Sequence, residues 1–236
     1  MRRKKKAEQG TLRLFTHGGA RKGAGRKPKG EKAGVPHTTR ERFAARHPVL
    51  VTLKVMRGIW SLRGRRLSTQ LWEIIAKANA RGGVRIVHFS IQRNHLHLLV
   101  EAEDAELLAR GMQGLSVRIA RMVNRVMGRK GRVFADRYHS RALTTPRSVR
   151  NAIAYVLGNA RRHGVAVADP AWVDPLSSGF FFEGWTRAVR TTPTMLPSRA
   201  SPAERAETWL LSVGWRRAGG RLDPGRRPGS SVRRAA

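Results

Sequence analysis

The stretch "SIQRNHLHLLVEA", residues 90–102, places two histidines, His95 and His97, in an apolar run with one leucine between them. Apolar residues before it and after it, broken at Arg93-Asn94, read as two strands joined by a tight turn. Side chains alternate along a strand, so Leu96, Leu98 and Val100 share one face and His95 and His97 share the other. The apolar face is assigned to a core. The two imidazoles on the opposite face either hold one metal ion between them or decorate a solvated surface.

Outward from this hairpin the order of elements becomes readable. Upstream, "HPVLVTLKVMRG" (47–58) is β-branched and partly alternating, a strand. "RRLSTQLWEIIAKANARGG" (65–83) spaces Leu71, Ile74, Ile75 and Ala78 as a helix that ends at Gly82-Gly83. "VRIVHFSIQ" (84–92) is the first hairpin strand and "HLHLLVEA" (95–102) the second. Downstream, 103–131 opens with acidic residues and carries Leu108, Met112, Leu115, Ile119, Met122 and Val126 as one helical stripe. "RVFADRYHSRAL" (132–143) reads as a fourth strand. A last helix follows, with Pro146 in its first turn and Gly164 past its end. The order β-α-β-β-α-β specifies an α+β, ferredoxin-like antiparallel sheet with two helices on one face and an extra C-terminal helix near the other.

The ends differ in composition. Residues 1–46 are Gly/Lys/Arg-rich and read as a disordered basic tail. Within them "AGRKPKG" resembles the minor-groove arm called an AT-hook, but that motif is short, and a solvated basic tail with nonspecific phosphate affinity is the preferred reading. Residues 47–185 form the ordered domain. Residues 186–236 read as a Pro/Arg-rich tail, mostly disordered, in which "ETWLLSVGWRR" is a candidate short helix.

The chain has 236 residues, with 48 Lys and Arg against 15 Asp and Glu, a net charge of +33. A compact state with that excess repels itself until a polyanion neutralises it, and nucleic acid is the natural counter-charge. Cysteine is absent, which excludes disulfides and cysteine-bound zinc. No apolar run reaches the roughly 18 residues of a membrane helix, and the basic start lacks the apolar stretch of a secretory signal.

Tyr155 and Asn159, in "AYVLGN", are spaced to share a face of the last helix. With the His-x-His strand and the basic charge, they carry a resemblance. From about 47 to 185 the chain resembles the single-tyrosine HUH transposases of the IS200/IS605 type, and within them the REP-associated tyrosine transposases. The residues concerned are "NHLHLLVEA", "GRVFADRYHSRAL" and "AIAYVLGNARRHG". It departs from the family at Arg93, where a proline is common, and at Ala160, where Asn-Pro is common.

The resemblance implies that His95 and His97 hold Mg or Mn, that Asn159 supplies a third ligand, and that Tyr155 is the nucleophile. It implies cleavage and rejoining of single-stranded DNA with hairpin structure through a 5′-phosphotyrosine intermediate. It further implies a monomer or homodimer in the bacterial cytoplasm, at the nucleoid, with no membrane partner. Arg137 and Arg141 on the fourth strand, and Arg161 and Arg162 past the tyrosine, are candidate phosphate contacts. Glu101 reads as a solvated carboxylate or a partner of the histidines. The alternative function is a noncatalytic basic nucleic-acid-binding protein that keeps the fold.

Overall fold

The computed structural model describes residues 43–162, 168–198 and 200–226. Four strands, β1 (Val49–Lys54), β2 (Arg85–Ile91), β3 (His95–Glu101) and β4 (His139–Ala142), form one antiparallel sheet in the order β2-β3-β1-β4. With α1 (Arg65–Asn79) between β1 and β2, and α2 (Ala105–Val126) between β3 and β4, this is the expected ferredoxin-like arrangement.

Local chemistry sets the helix limits. Gly82 and Gly83 both have positive φ and turn the chain out of α1 into β2. Asp104 caps α2, its Oδ1 accepting from Leu107 N at 2.7 Å. The third long helix, α3 (Pro146–Leu157), starts at a capping box in which Thr145 and Ser148 satisfy each other's backbone N–H groups. It ends sooner than the sequence suggests. Gly158 is the C-cap and Asn159–Arg162 form a separate turn, α4; Gly164 lies outside the described residues.

Two cores lie on opposite faces of the sheet. On one face, Leu67, Leu71 and Ile75 of α1 and Leu108, Met112, Leu115 and Ile119 of α2 cover Val51, Phe89, Leu96, Leu98 and Val100. The α2 stripe and the Leu96-Leu98-Val100 face are as the periodicity predicts. Gly111 lets α2 settle onto the start of β2, since a Cβ there would meet Val84 Cγ1 at 2.4 Å. On the other face, Val149, Ala152, Ile153 and Val156 of α3 pack on Leu99 and Val87.

This second core contains a correction to the expected domain limits. Residues 186–226 are built into the fold rather than trailing from it. Leu210 and Leu211 of α5 (Trp209–Ser212), with Trp215 and Leu222, join Trp185 and the outer surface of α3. Leu222 N bonds Gly184 O and Thr186 N bonds Leu222 O, so the last described segment lies beside the end of the predicted domain. Arg150 of α3 donates to the carbonyls of Gly219, Gly220 and Arg221. At the other end, Phe43 packs against the first core, so the ordered region begins before 47; the AT-hook-like stretch lies outside the described residues.

The fourth strand is also shorter than expected. Residues 132–138 are irregular, joined to β1 through the Val55–Phe134 bridge and Ala135 N to Lys54 O. Tyr138 is buried in the first core.

Candidate functional site

The hairpin that presents the histidines is held from below. Ile91 pairs with Leu96 across the turn, and Gln92 N bonds His95 O. The turn carbonyls are taken up by the residue after β1 and by the loop before α1: Asn94 O accepts from Val55 N and Arg93 O from Leu62 N, both at 2.9 Å. Arg63 donates to Ile91 O at 2.8 Å and makes a two-pronged ion pair with buried Asp174. A fixed turn means a fixed starting point for β3, and hence a fixed direction for both imidazoles.

Directly paired residues of an antiparallel sheet present side chains on one face. Thr52 pairs with His97 on one side and His139 on the other; Lys54 pairs with His95, and Leu50 with Arg141. The face toward α3 therefore carries His95, His97, Thr52, Lys54, His139 and Arg141 together.

Tyr155 reaches into this row from α3. Its Oη lies 3.1 Å from His97 Nε2, and the two rings are 4.8 Å apart. The other nitrogen of His97, Nδ1, lies 3.0 Å from Thr52 Oγ1. His97 is 4 % exposed. The His95 ring is 4.6 Å from that of His97, and its Nδ1 is 2.8 Å from Asn94 Oδ1. Arg162 sets its guanidinium carbon 5.3 Å from the centre of the Tyr155 ring while staying exposed.

Asn159 opens α4 rather than continuing the tyrosine helix. It is 0 % exposed, and neither its carboxamide oxygen nor its nitrogen has a hydrogen-bond partner among the described residues. A buried carboxamide with no partner costs stability and points to something that completes it.

The four candidate phosphate contacts separate. Arg162 stands over Tyr155, and Arg141 is exposed on the histidine face. Arg137 lies elsewhere, exposed on the loop before β4, where it lines a groove with Gln113 and Val117 of α2. Arg161 is taken by the chain itself: its Nη2 donates to Asp169 O and Trp172 O, and its guanidinium lies 5.7 Å from the Trp172 ring. It anchors the segment at Asp169 and Trp172 rather than facing the histidine row.

Glu101 is also used differently. It shares the strand face of His95 and His97, but it is buried and accepts from Glu207 N, Thr208 N and Thr208 Oγ1 at 2.7–2.9 Å, close to the start of α5. Thr52 is the residue the sequence reading missed. Its signal was available: with Lys54 it is polar on the face of β1 opposite Val51 and Leu53.

The histidine face has one more imidazole. A β-bulge between Ile86 and His88 turns both Val87 and His88 toward the second core. There His88 packs edge-on against Phe182, and burial pushes its pKa down to about 4. It is a neutral structural group.

Among solved structures, the chain is similar to a REP-associated tyrosine transposase bound to a REP hairpin, at 14 % identity and a TM-score of 0.45, over 56 % of this chain and 76 % of that one. It is also similar to a Deinococcus radiodurans R1 protein described as a transposase, at 13 % identity and a TM-score of 0.32, over 48 % of this chain and 86 % of that one. No curated protein matches. The model of the family described as "Transposase IS200 like" matches residues 48–159. That segment begins just before β1, ends at Asn159 and contains His95, His97 and Tyr155, and over it the chain is similar to the IS200-like transposases.

Proposed function

We propose that this chain is a transposase of the IS200-like kind, a metal-dependent endonuclease and strand transferase of single-stranded, hairpin-containing DNA, with Tyr155 as nucleophile. The observation that carries the reading is the meeting of Tyr155 Oη and His97 Nε2 at 3.1 Å, with the His95 ring alongside. Three features support it further. The two imidazoles are close enough to share one ion, and each has its Nδ1 engaged by a neighbour, as metal-bound histidines commonly do. Asn159 has an unpartnered buried oxygen to offer as a third ligand. The cations Arg162, Arg141 and Lys54 sit on or beside the same face.

On this reading His95, His97 and Asn159 hold Mg or Mn, hard enough for a mixed nitrogen and oxygen set. The ion supplies Lewis-acid polarisation of the scissile phosphate. The remaining work belongs to side chains. Arg162 and Arg141 bind phosphate oxygens and hold the strand in place. Tyr155 attacks in line: the Oη–phosphorus bond forms and the bond from phosphorus to the 3′ oxygen breaks. The phenolic proton is released, and the departing oxygen is protonated to a free 3′-hydroxyl. The 5′-phosphotyrosine keeps the phosphodiester energy, so a 3′-hydroxyl of another strand can reverse the attack and join DNA without a nucleotide cofactor.

The test is covalent capture. Hairpin-bearing single-stranded DNA, incubated with the protein and Mn or Mg, gives a protein–DNA adduct stable to denaturing electrophoresis. Tyr155→Phe abolishes the adduct and retains DNA binding; chelator abolishes it in the wild type. Binding without any adduct, across a library of hairpins, supports the noncatalytic alternative instead.

A further inference from the structure

Between Thr52 and Tyr155 the His97 ring has a hydroxyl on each nitrogen. We infer that Thr52 is a positioning residue, holding His97 as the Nδ1–H tautomer so that the lone pair of Nε2 faces Tyr155. The inference rests on the function proposed above and adds to it the residue that makes His97 usable.

A neutral imidazole has one N–H and one lone pair, so one hydroxyl donates to the ring and the other accepts from it. Both hydroxyls can play either part. They are not equal, because a phenol is a much stronger acid than an aliphatic alcohol and therefore the better donor. The phenol of Tyr155 takes the lone pair at Nε2, which leaves the hydrogen on Nδ1 and makes Thr52 Oγ1 its acceptor. The opposite arrangement sets an N–H against the phenol and leaves no lone pair at Nε2 for an ion.

Thr52 is well placed to enforce this choice. It sits on β1, an inner strand, paired to His97 on one side and to His139 on the other. Its backbone is fixed by the sheet, and a β-branched side chain has few rotamers open to it. His97 is buried, so water does not compete freely for Nδ1. Valine at 52 keeps the shape and removes the hydroxyl; serine keeps the hydroxyl.

The experiment is long-range 1H–15N NMR of the full chain labelled at histidine nitrogen, with His97 signals identified by their loss in His97→Gln. It needs neither DNA nor ion. The wild type shows Nδ1 protonated and Nε2 bare; Thr52→Val shifts His97 toward the other tautomer; Thr52→Ser restores it. In the covalent-capture assay at saturating Mn and DNA, Thr52→Val slows adduct formation by roughly five- to tenfold, the worth of one hydrogen bond, with half-saturating DNA unchanged, and Thr52→Ser recovers the rate. A wild-type His97 protonated at Nε2 overturns the inference, as does a Thr52→Val protein with unaltered tautomer and rate. If Thr52→Val fails to fold, the wild-type and Thr52→Ser spectra still decide. An intact adduct in Tyr155→Phe with the expected tautomer defeats the proposed chemistry and leaves the tautomer assignment standing.

Discussion

Tyr155 Oη sits 3.1 Å from His97 Nε2, the nitrogen of that ring not engaged by Thr52. On the proposed reading the phenol and the ion want the same lone pair. Binding the ion then breaks the Tyr155–His97 hydrogen bond and frees the hydroxyl for attack. Tyr155→Phe therefore does more than remove the nucleophile. It removes a competitor, and Mn affinity measured without DNA rises by roughly two- to tenfold, the range set by a net hydrogen bond. His97→Ala loses most of the affinity. Equal or weaker Mn binding by Tyr155→Phe shows that the phenol and the ion do not compete.

Arg161 and Arg162 are neighbours with opposite employment. Arg161 holds the carbonyls of Asp169 and Trp172, whereas Arg162 is exposed above the Tyr155 ring. Arg161→Ala is expected to lower thermal stability and leave the salt dependence of DNA binding alone. Arg162→Ala is expected to spare stability and weaken binding, flattening the slope of log K against log salt by roughly 0.7 for one lost single-strand phosphate contact. Swapped phenotypes would reverse these assignments.

Much of this arrangement is legible before any coordinates. Strand alternation puts His95 and His97 on one face because the period of a strand is short and strict, and the same rule hands Leu96 and Leu98 to the helices. The α2 stripe is legible for a similar reason. Thr52 is harder, because its partners are 45 residues away in one direction and belong to a register that no local pattern states. The bulge that buries His88 is equally silent. The segment 186–226 misleads for a different reason: it packs through a few large side chains, Trp215 and Leu222 among them, set in Pro- and Arg-rich chain without periodicity. Composition averages such anchors away.

That segment yields a prediction of its own. Ending the chain at residue 185 uncovers the apolar side of α3 and removes Trp215, which is 1 % exposed. It also leaves buried Glu101 without its partners from Glu207 and Thr208. The truncated protein is expected to be insoluble or to melt far below the full chain, although the match to the transposase family ends at Asn159. The milder Thr208→Val removes one donor to Glu101 and costs about 1–3 kcal/mol in chemical denaturation. A soluble, cooperative 1–185 fragment contradicts the packing described.

His88 gives the fold an acid limit. Its folded pKa is lowered to about 4 by burial, against an ordinary value of 6.5. The unfolded chain therefore binds a proton at a higher pH than the folded one. Stability from this group is fully present above pH 6.5 and is lost as pH falls toward 4. The full loss is about 3 kcal/mol. His88→Phe removes this group's contribution, so the difference in unfolding free energy between the two proteins changes across pH 6.5 to 4 and is flat above it. A difference independent of pH means that His88 is solvated when folded.

Asn159 separates stability from function most sharply. Its carboxamide is wholly buried with both polar ends unpaired among the described residues. Such a group is a liability in the metal-free protein, since each unpaired polar atom in the interior forfeits its hydration. Leucine has nearly the same size and no polar atom. Asn159→Leu is therefore expected to raise the stability of the metal-free protein by about 1–2 kcal/mol in urea unfolding. If Asn159 completes the ion site with His95 and His97, the same change lowers Mn affinity and suppresses adduct formation. The stabilising effect of added Mn on the melting temperature then shrinks as well, because an ion stabilises only in proportion to how tightly the folded state holds it. Asn159→Asp makes the opposite trade. A buried carboxylate destabilises the metal-free fold, and Mn restores it, because the ion pairs the charge. A leucine variant that is less stable and binds Mn normally identifies Asn159 as a structural residue with a partner still to be found.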